Sequence, residues 1–325
     1  MRVAAIDIGS NSIRLLVAES GGSGAWAGPL FTVARAGEAC RLGRGLHQTG
    51  RIEPALVERA ALLAQEFARR ARSLGAVRVV AAATAALRSA ENGDEVAAAI
   101  GARAGVSVRI LSGEDEARLV YRAVVLGLGP RARESQCVVF DLGGGSTEVV
   151  SGVGVRPGRW TSLDFGAVSL TERMLLQDPP DAHALEAAER SIASDLMHGC
   201  ALFPERTHLL AGVGGTVTVL ASLDRRLVEY DPALLEGWFV EAARVQTLVQ
   251  RITHASHAER RELPIMGEGR ADIIGAGALV VGALVDRFRA PGLVCSTQGL
   301  RYGLARLALE EANGENARSL GPTSD

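Results

Sequence analysis

Lysine is absent: all 35 basic residues of this 325-residue chain are arginine. Any anion site must therefore be built from guanidinium groups or backbone N–H groups. Net charge is equally scarce, −2 at neutral pH, which argues against nucleic-acid binding through bulk charge while leaving room for a local basic cleft. The four cysteines, Cys40, Cys137, Cys200 and Cys295, are far apart and form no C-x-x-C pair. A zinc site and a disulfide framework are thereby disfavoured, and the chain fits a reducing cytosol. Cys137 and Cys295 lie in apolar runs and read as buried thiols. Of six histidines only His254 and His257 are close, and no carboxylate or cysteine completes a ligand set with them. No G-x-S-x-G elbow is present, so a serine-hydrolase triad has no support. The apolar stretch 273–285 is too short and too rich in Gly and Ala for a membrane span. Nothing at the amino end resembles a charged leader; the chain opens on a strand-like run, Val3 to Ile8. The expectation is a cytoplasmic protein with no membrane or nucleic-acid partner.

What is present is apolar residues, 47% of the chain, enough for two domains of ordinary size. Strands are expected at 2–8, 12–18, 30–36, 77–83, 107–111, 137–142, 147–153 and 207–211. Helices are expected at 54–74, 94–104, 113–127, 166–176, 182–199, 241–253, 268–287 and 299–313, with another opening near 217. The segment GLGPRARES (127–135) interrupts the pattern and is the best domain boundary. This gives domains at 1–126 and 127–313 and a polar tail at 314–325, expected to be disordered. The second domain repeats the opening of the first. VAAIDIGSNSIRLLVA and CVVFDLGGGSTEVVSG both read as apolar strand, Asp, apolar residue, Gly, two turn residues, Ser, then strand. A duplicated α/β unit follows, two similar domains facing each other.

Five motifs carry candidate chemistry. Asp7 ends a strand and is followed by Gly9, Ser10, Asn11 and Ser12, a turn whose N–H groups can nest a phosphate; an ordinary Asx turn looks the same. Asp141 precedes Gly143, Gly144, Gly145 and Ser146, with Glu148 on the returning strand. Three glycines in a hairpin cost chain entropy, and close approach of backbone to a ligand is a reason for them. Two carboxylates plus substrate phosphates suit Mg²⁺ (or Mn²⁺), which rarely takes an all-protein cage. Gly214, Gly215 and Thr216 follow a strand and open a helix, an anion site that lacks the Gly-Lys of a P-loop. Glu114, Asp115 and Glu116 start a helix after Ser112. The macrodipole accounts for acids there, yet one of the three is a candidate general base for water, and residue physics leaves open which. Arg88 lies just beyond a strand's carboxyl end, where ligands bind in α/β sheets; it is either a phosphate ligand or a surface arginine.

Together AIDIGSNSIRLLVAE, LSGEDEARL, VFDLGGGSTEVV, AGVGGT and GEGRADIIGAGALV resemble the exopolyphosphatase/guanosine pentaphosphate phosphohydrolase family, from about Val3 to Leu309. That family is part of the actin and sugar-kinase superfamily, whose other members share the two Asp-Gly loops but not the SGEDEAR segment. The resemblance implies two ribonuclease-H-like (actin-like ATPase) α/β domains with the active site in the interdomain cleft. It implies metal-dependent hydrolysis of a terminal phosphoanhydride of inorganic polyphosphate, or of guanosine pentaphosphate. An actin-like nucleotide-binding or kinase-like protein is the alternative from another class. Residue by residue, the resemblance makes Glu116 the general base and gives Asp141 and Glu148 roles in catalysis and metal binding, with Asp7 in support. It gives Gly9, Ser10, Asn11, Ser12, Arg88, Gly143, Gly144, Gly145, Ser146, Gly214, Gly215 and Thr216 to phosphate. Many relatives have Ser where this chain has Ala85 and Asp where it has Ser89, and longer relatives carry extra C-terminal helical domains. A homodimer is common for enzymes of this kind.

Overall fold

The computed structural model describes residues 1–22, 24–26, 28–266 and 269–314. The chain forms two compact units, Met1–Leu119 together with the segment from Leu300, and Val120–Gly299.

The first unit contains β1 (Arg2–Ile8), β2 (Ser12–Ser20), β3 (Leu30–Ala39), α1 (Leu46–Thr49), α2 (Pro54–Ser73), β4 (Arg78–Ala83), α3 (Ala85–Ser89), α4 (Gly93–Ala104) and β5 (Val108–Ile110). Helix α5 (Gly113–Leu128) leaves it. The sheet order is β3-β2-β1-β4-β5. β1 pairs antiparallel with β2 and parallel with β4, and β4 pairs parallel with β5. Strand β1 is a continuous apolar run because both its faces are covered. Ala4, Ile6 and Ile8 share a core with Ala60, Ala64 and Phe67 of α2 and with Ile100 of α4. Side chains alternate along a strand, so Val3 and Ala5, equally buried, face the other way.

The second unit contains α6 (Pro130–Arg133), β6 (Gln136–Leu142), β7 (Thr147–Val153), β8 (Arg156–Leu163), α7 (Ala167–Met174), α8 (Ala182–Gly199), β9 (Leu210–Val213), α9 (Gly215–Arg225), α10 (Pro232–Leu235), β10 (Phe239–Glu241), α11 (Ala242–His254), α12 (His257–Arg261), α13 (Ile274–Arg287) and β11 (Gly292–Cys295). Its sheet order is β10-β11-β9-β6-β7-β8. Stripped of the antiparallel edge strand β10, this is the order of the first sheet, with two antiparallel neighbours on one side of the lead strand and two parallel ones on the other. The internal repeat is thus a repeat of fold.

The chain closes with α14 (Leu300–Ala312), which packs on β1, β2 and β4. The boundary expected at 127 and the placement of 300–312 in the second domain therefore need correction: the division falls at Leu119/Val120, and α14 belongs to the first unit. The reason is the apolar face of the first sheet that α2 and α4 leave uncovered. Polar contacts fix the helix there. Buried Arg306 donates to the carbonyls of Ala25 (2.8 Å) and Gly28 (3.1 Å). Trp26 donates to Glu310, and Glu311 accepts from Arg78 (2.6 Å) and Arg109. The helix expected at 268–287 starts only at Ile274, where the N–H groups of Ile273 and Ile274 turn back onto the Arg270 carbonyl. All four cysteines are buried and free. The expected tail, apart from Gly314, lies outside the described residues.

Candidate active site

The two Asp-Gly loops are built alike. In the first, the Gly9 N–H donates to the Ser12 carbonyl (3.0 Å); in the second, Gly143 does so to Ser146 (3.1 Å). Each loop is then held from one side by its carbonyls. Gly43 donates to Ser10 O (2.8 Å), and Cys40 and Arg41 donate to Asn11 O (2.9 Å each). Ala167 donates to Gly143 O (3.0 Å), and Val168 and Ser169 donate to Gly144 O (2.8 and 3.1 Å). In a trans peptide the N–H points opposite to the C=O. The N–H groups of Asn11, Gly144 and Gly145 therefore face away from these supports, as a phosphate nest requires. Gly166 lets α7 come this close: a Cβ there would lie 2.6 Å from the Gly144 carbonyl carbon.

The loops differ in charge. Asp7 is the register partner of Arg14, whereas Asp141 is the partner of Glu148. Burial pushes the Asp7 carboxyl up, and the charges of Arg14 and Arg301 oppose that rise only in part. Glu148 is 2% exposed, and one of its oxygens accepts from Ser146 Oγ (2.7 Å) and from Ser162 Oγ on β8 (2.8 Å). Ser10 Oγ is buried and has no hydrogen-bond partner among the described residues. Such a hydroxyl costs about 1–3 kcal/mol, which a ligand oxygen would offset. Among the described residues no group of three or more His, Cys, Asp or Glu side chains could hold a metal ion. Asp141 and Glu148 supply two carboxylates, within what Mg²⁺ takes from protein. Asp7, beside an arginine, is the poorest cation ligand of the three.

The third loop begins beside the second, since Val213 is the parallel partner of Asp141. Gly214 is required twice over, by its φ of +114° and because a Cβ would meet Leu142 O at 2.5 Å. Thr216 is backed by α13, where a Cβ on Gly277 would lie 2.2 Å from its Oγ1. The Arg270 guanidinium lies on Gly215, 3.3–3.4 Å from where a Cβ would stand.

The structure separates the three acids of α5. Glu114 pairs with Arg118 one turn on (2.7 Å). Asp115 takes the Ser112 hydroxyl (2.8 Å), which in turn accepts the Asp115 N–H (3.1 Å). Glu116 is 6% exposed and accepts from Arg88 Nη1 (2.9 Å), which also donates to Leu111 O (2.9 Å). Arg88 is thus a holder of Glu116 rather than a surface arginine.

Two acid-bearing glycine loops, a third loop at a helix start and a buried Glu–Arg pair agree with what comparison with known proteins finds. Residues 16–311 match the model of the Ppx/GppA phosphatase family. The chain belongs to this family. As a Ppx/GppA phosphatase it is a phosphoanhydride hydrolase. It is 37% identical to Exopolyphosphatase 2 of Mycobacterium tuberculosis over 89% of this chain and 91% of that protein. It is 31% identical to Exopolyphosphatase 1 of Mycobacterium bovis over 97% and 90%. The crystal structure of the Aquifex aeolicus Ppx/GppA family member superposes with a TM-score of 0.81 at 30% identity, over 96% of this chain and 99% of that one. The actin-like two-domain α/β fold expected of the family is the one present. No helix among the described residues is long and apolar enough to cross a membrane.

Three neighbours of the site in this phosphatase escaped the sequence reading. Arg14 was legible, because aligning the two repeats sets it opposite Glu148. Arg270 lies inside the GEGRADIIGAGALV segment, which signals the family but not its placement on Gly215, and Ser162 carries no local signal; sheet register brings Ser162 and the approach to α13 brings Arg270.

Proposed function

We propose that this Ppx/GppA phosphatase is a metal-dependent exopolyphosphatase that removes orthophosphate from the end of inorganic polyphosphate. The observation that carries the proposal is Glu116, the one acid of three that is buried and fixed by an arginine rather than spent on a cap or a surface pair. Hydrolysis needs a base for water, and a fixed carboxylate is one. In the first unit the Asp7 loop with Ser10, and in the second the Asp141 loop and the third loop with Thr216, each offer N–H and hydroxyl groups that would hold phosphate oxygens by hydrogen bonds. Asp141 and Glu148 would hold Mg²⁺ or Mn²⁺, which neutralises charge developing on phosphoryl oxygens. Arg88 orients Glu116. A water oxygen bonds to the terminal phosphorus as the bond from that phosphorus to the bridging oxygen breaks. Glu116 takes the water's proton, and the products are orthophosphate and a chain shorter by one.

The test is Glu116→Gln assayed by phosphate release from short polyphosphate. We expect a fall of about 10²–10⁴-fold in kcat, the usual contribution of a positioned base; turnover near wild type removes Glu116 from the mechanism. The same site suits the 5′-phosphate of guanosine pentaphosphate, a reading the family's breadth favours. Rates on short and long polyphosphate, guanosine pentaphosphate and ATP, each with and without Mg²⁺, separate the substrates and the kinase-like alternative.

A further inference from the structure

We propose that Arg260 is a positioning residue for the reaction, a buried guanidinium that fixes the segment carrying Arg270 and so sets Arg270 on the third glycine loop. The inference rests on the phosphatase reading of that loop.

Arg260 lies on α12 and is 5% exposed. A buried guanidinium is costly unless its donors are matched, and here they are matched from three separate stretches of chain. Nε donates to Ala271 O (2.9 Å), Nη1 to Ala255 O (2.7 Å) and Nη2 to Asp178, in the link between α7 and α8. The Ala271 carbonyl follows Arg270 directly. On Arg270 itself, the carbonyl accepts from the Ile273 and Ile274 N–H groups (3.1 and 3.0 Å). The backbone at Arg270 is therefore held by the start of α13 and, one peptide later, by Arg260.

The described residues of the connection between α12 and α13 join no sheet ladder, so side chains place them. A second closure, His257 Nε2 to Asp272 Oδ1 at 2.7 Å, has both partners 41% exposed. Exposed pairs are weak, and the buried contact dominates. Its consequence is local and chemical: the Arg270 guanidinium stands on Gly215, the first residue of α9, whose N-terminal N–H groups are the anion site of the third loop. Glycine at 215 leaves the space that Arg270 occupies.

The experiment is a double-mutant cycle in the full chain. Arg260→Met and Arg260→Lys are made alone and with Arg270→Ala, then read by steady-state kinetics on short polyphosphate and by thermal melting. Arg260→Met is expected to raise KM about tenfold with kcat little changed, the signature of lost ground-state binding. Combined with Arg270→Ala it should add nothing further, because residues acting through one contact are not additive. Arg260→Lys should recover melting temperature more than KM, since an ammonium cannot serve three separated acceptors in one plane. Should Arg260→Met fail to fold, Asp178→Asn removes one acceptor and keeps the arginine; about a threefold rise in KM, again only with Arg270 present, is expected. An equal KM effect with and without Arg270, or a fall in melting with no KM change, overturns the proposal. Arg270→Ala with wild-type KM overturns it as well while leaving the phosphatase reading intact. A wild-type protein inert on every phosphoanhydride would sink that reading instead.

Discussion

Two glycines on α13, two residues apart, should respond to the same substitution with opposite sign. Both Gly275 and Gly277 are buried. A Cβ on Gly275 meets nothing within 4 Å, whereas one on Gly277 would lie 2.2 Å from Thr216 Oγ1, 3.0 Å from Cγ2 and 3.1 Å from Cβ. Glycine to alanine inside a helix gains roughly 0.5–1 kcal/mol, and Gly275→Ala should keep that gain. Gly277→Ala has the same gain, but overpacking costs about 1–3 kcal/mol, and Thr216 is stiff at χ1 and cannot easily turn away. The balance spans about 0–2.5 kcal/mol of net loss, and the 2.2 Å approach to Oγ1 puts it toward the upper end. For a unit of this size 1 kcal/mol moves the melting temperature by about 2–4 °C. Calorimetric melting should show Gly275→Ala slightly above wild type and Gly277→Ala below it. Only Gly277→Ala should also raise KM for polyphosphate, because the displaced atoms belong to the third loop. Gly277→Ala with Thr216→Ala should regain much of the melting temperature. If both single variants melt higher, or both lower by similar amounts, the packing argument is wrong.

Asp141→Asn and Glu148→Gln should each weaken Mg²⁺ binding and cut phosphate release, read by cation titration as well as rate; unchanged Mg²⁺ binding in both would remove the metal from this pair. Burial pushes the Glu311 carboxyl up, but the hydrogen bonds and charges of Arg78 and Arg109 prevail and hold it below the ordinary glutamate range. Its stabilisation is therefore present above that range and lost as pH falls through the lowered value. Glu311→Gln should melt below wild type at pH 7, with the gap closing on acidification; a gap independent of pH would refute this. For Asp7 the sign reverses. Its raised affinity for a proton means that stability is full below the ordinary aspartate range and lost as pH rises through the raised value. Asp7→Asn should thus melt higher at pH 7 while losing activity, and a lower melting temperature would contradict the burial argument.

The doubled loop was legible because turn chemistry is local: an Asp at a strand end and a glycine that must bond back to the Ser12 or Ser146 carbonyl leave a fixed spacing. The Ser112 cap was legible for the same reason. Which of Glu114, Asp115 and Glu116 faces inward was not legible from residue physics, only from the family resemblance, because it depends on the partners Arg118 and Arg88, one of them from another element. The edge strand β8 carries Pro157 and Gly158 and shows no clean alternation. The strands β10 and β11 are three and four residues long, too short for a period. Buried Arg260 looks in sequence like its exposed neighbour Arg261. The hydrophobic pattern of 299–313 announced a buried helix without saying which sheet would bury it.

That last helix has a bearing on how the protein is made. Leu300, Leu304, Ala305, Ala308 and Leu309 are buried in α14, on a sheet whose first strand began almost three hundred residues earlier. During synthesis the strands bearing Asp7 and Arg14 would leave the ribosome early yet hold an open apolar face until residue 312 had followed. The unit made second could be complete first. A shortened chain ending before α14 would then leave an unfinished amino-terminal sheet and a finished second unit, and aggregation would start at strands almost three hundred residues from the cut.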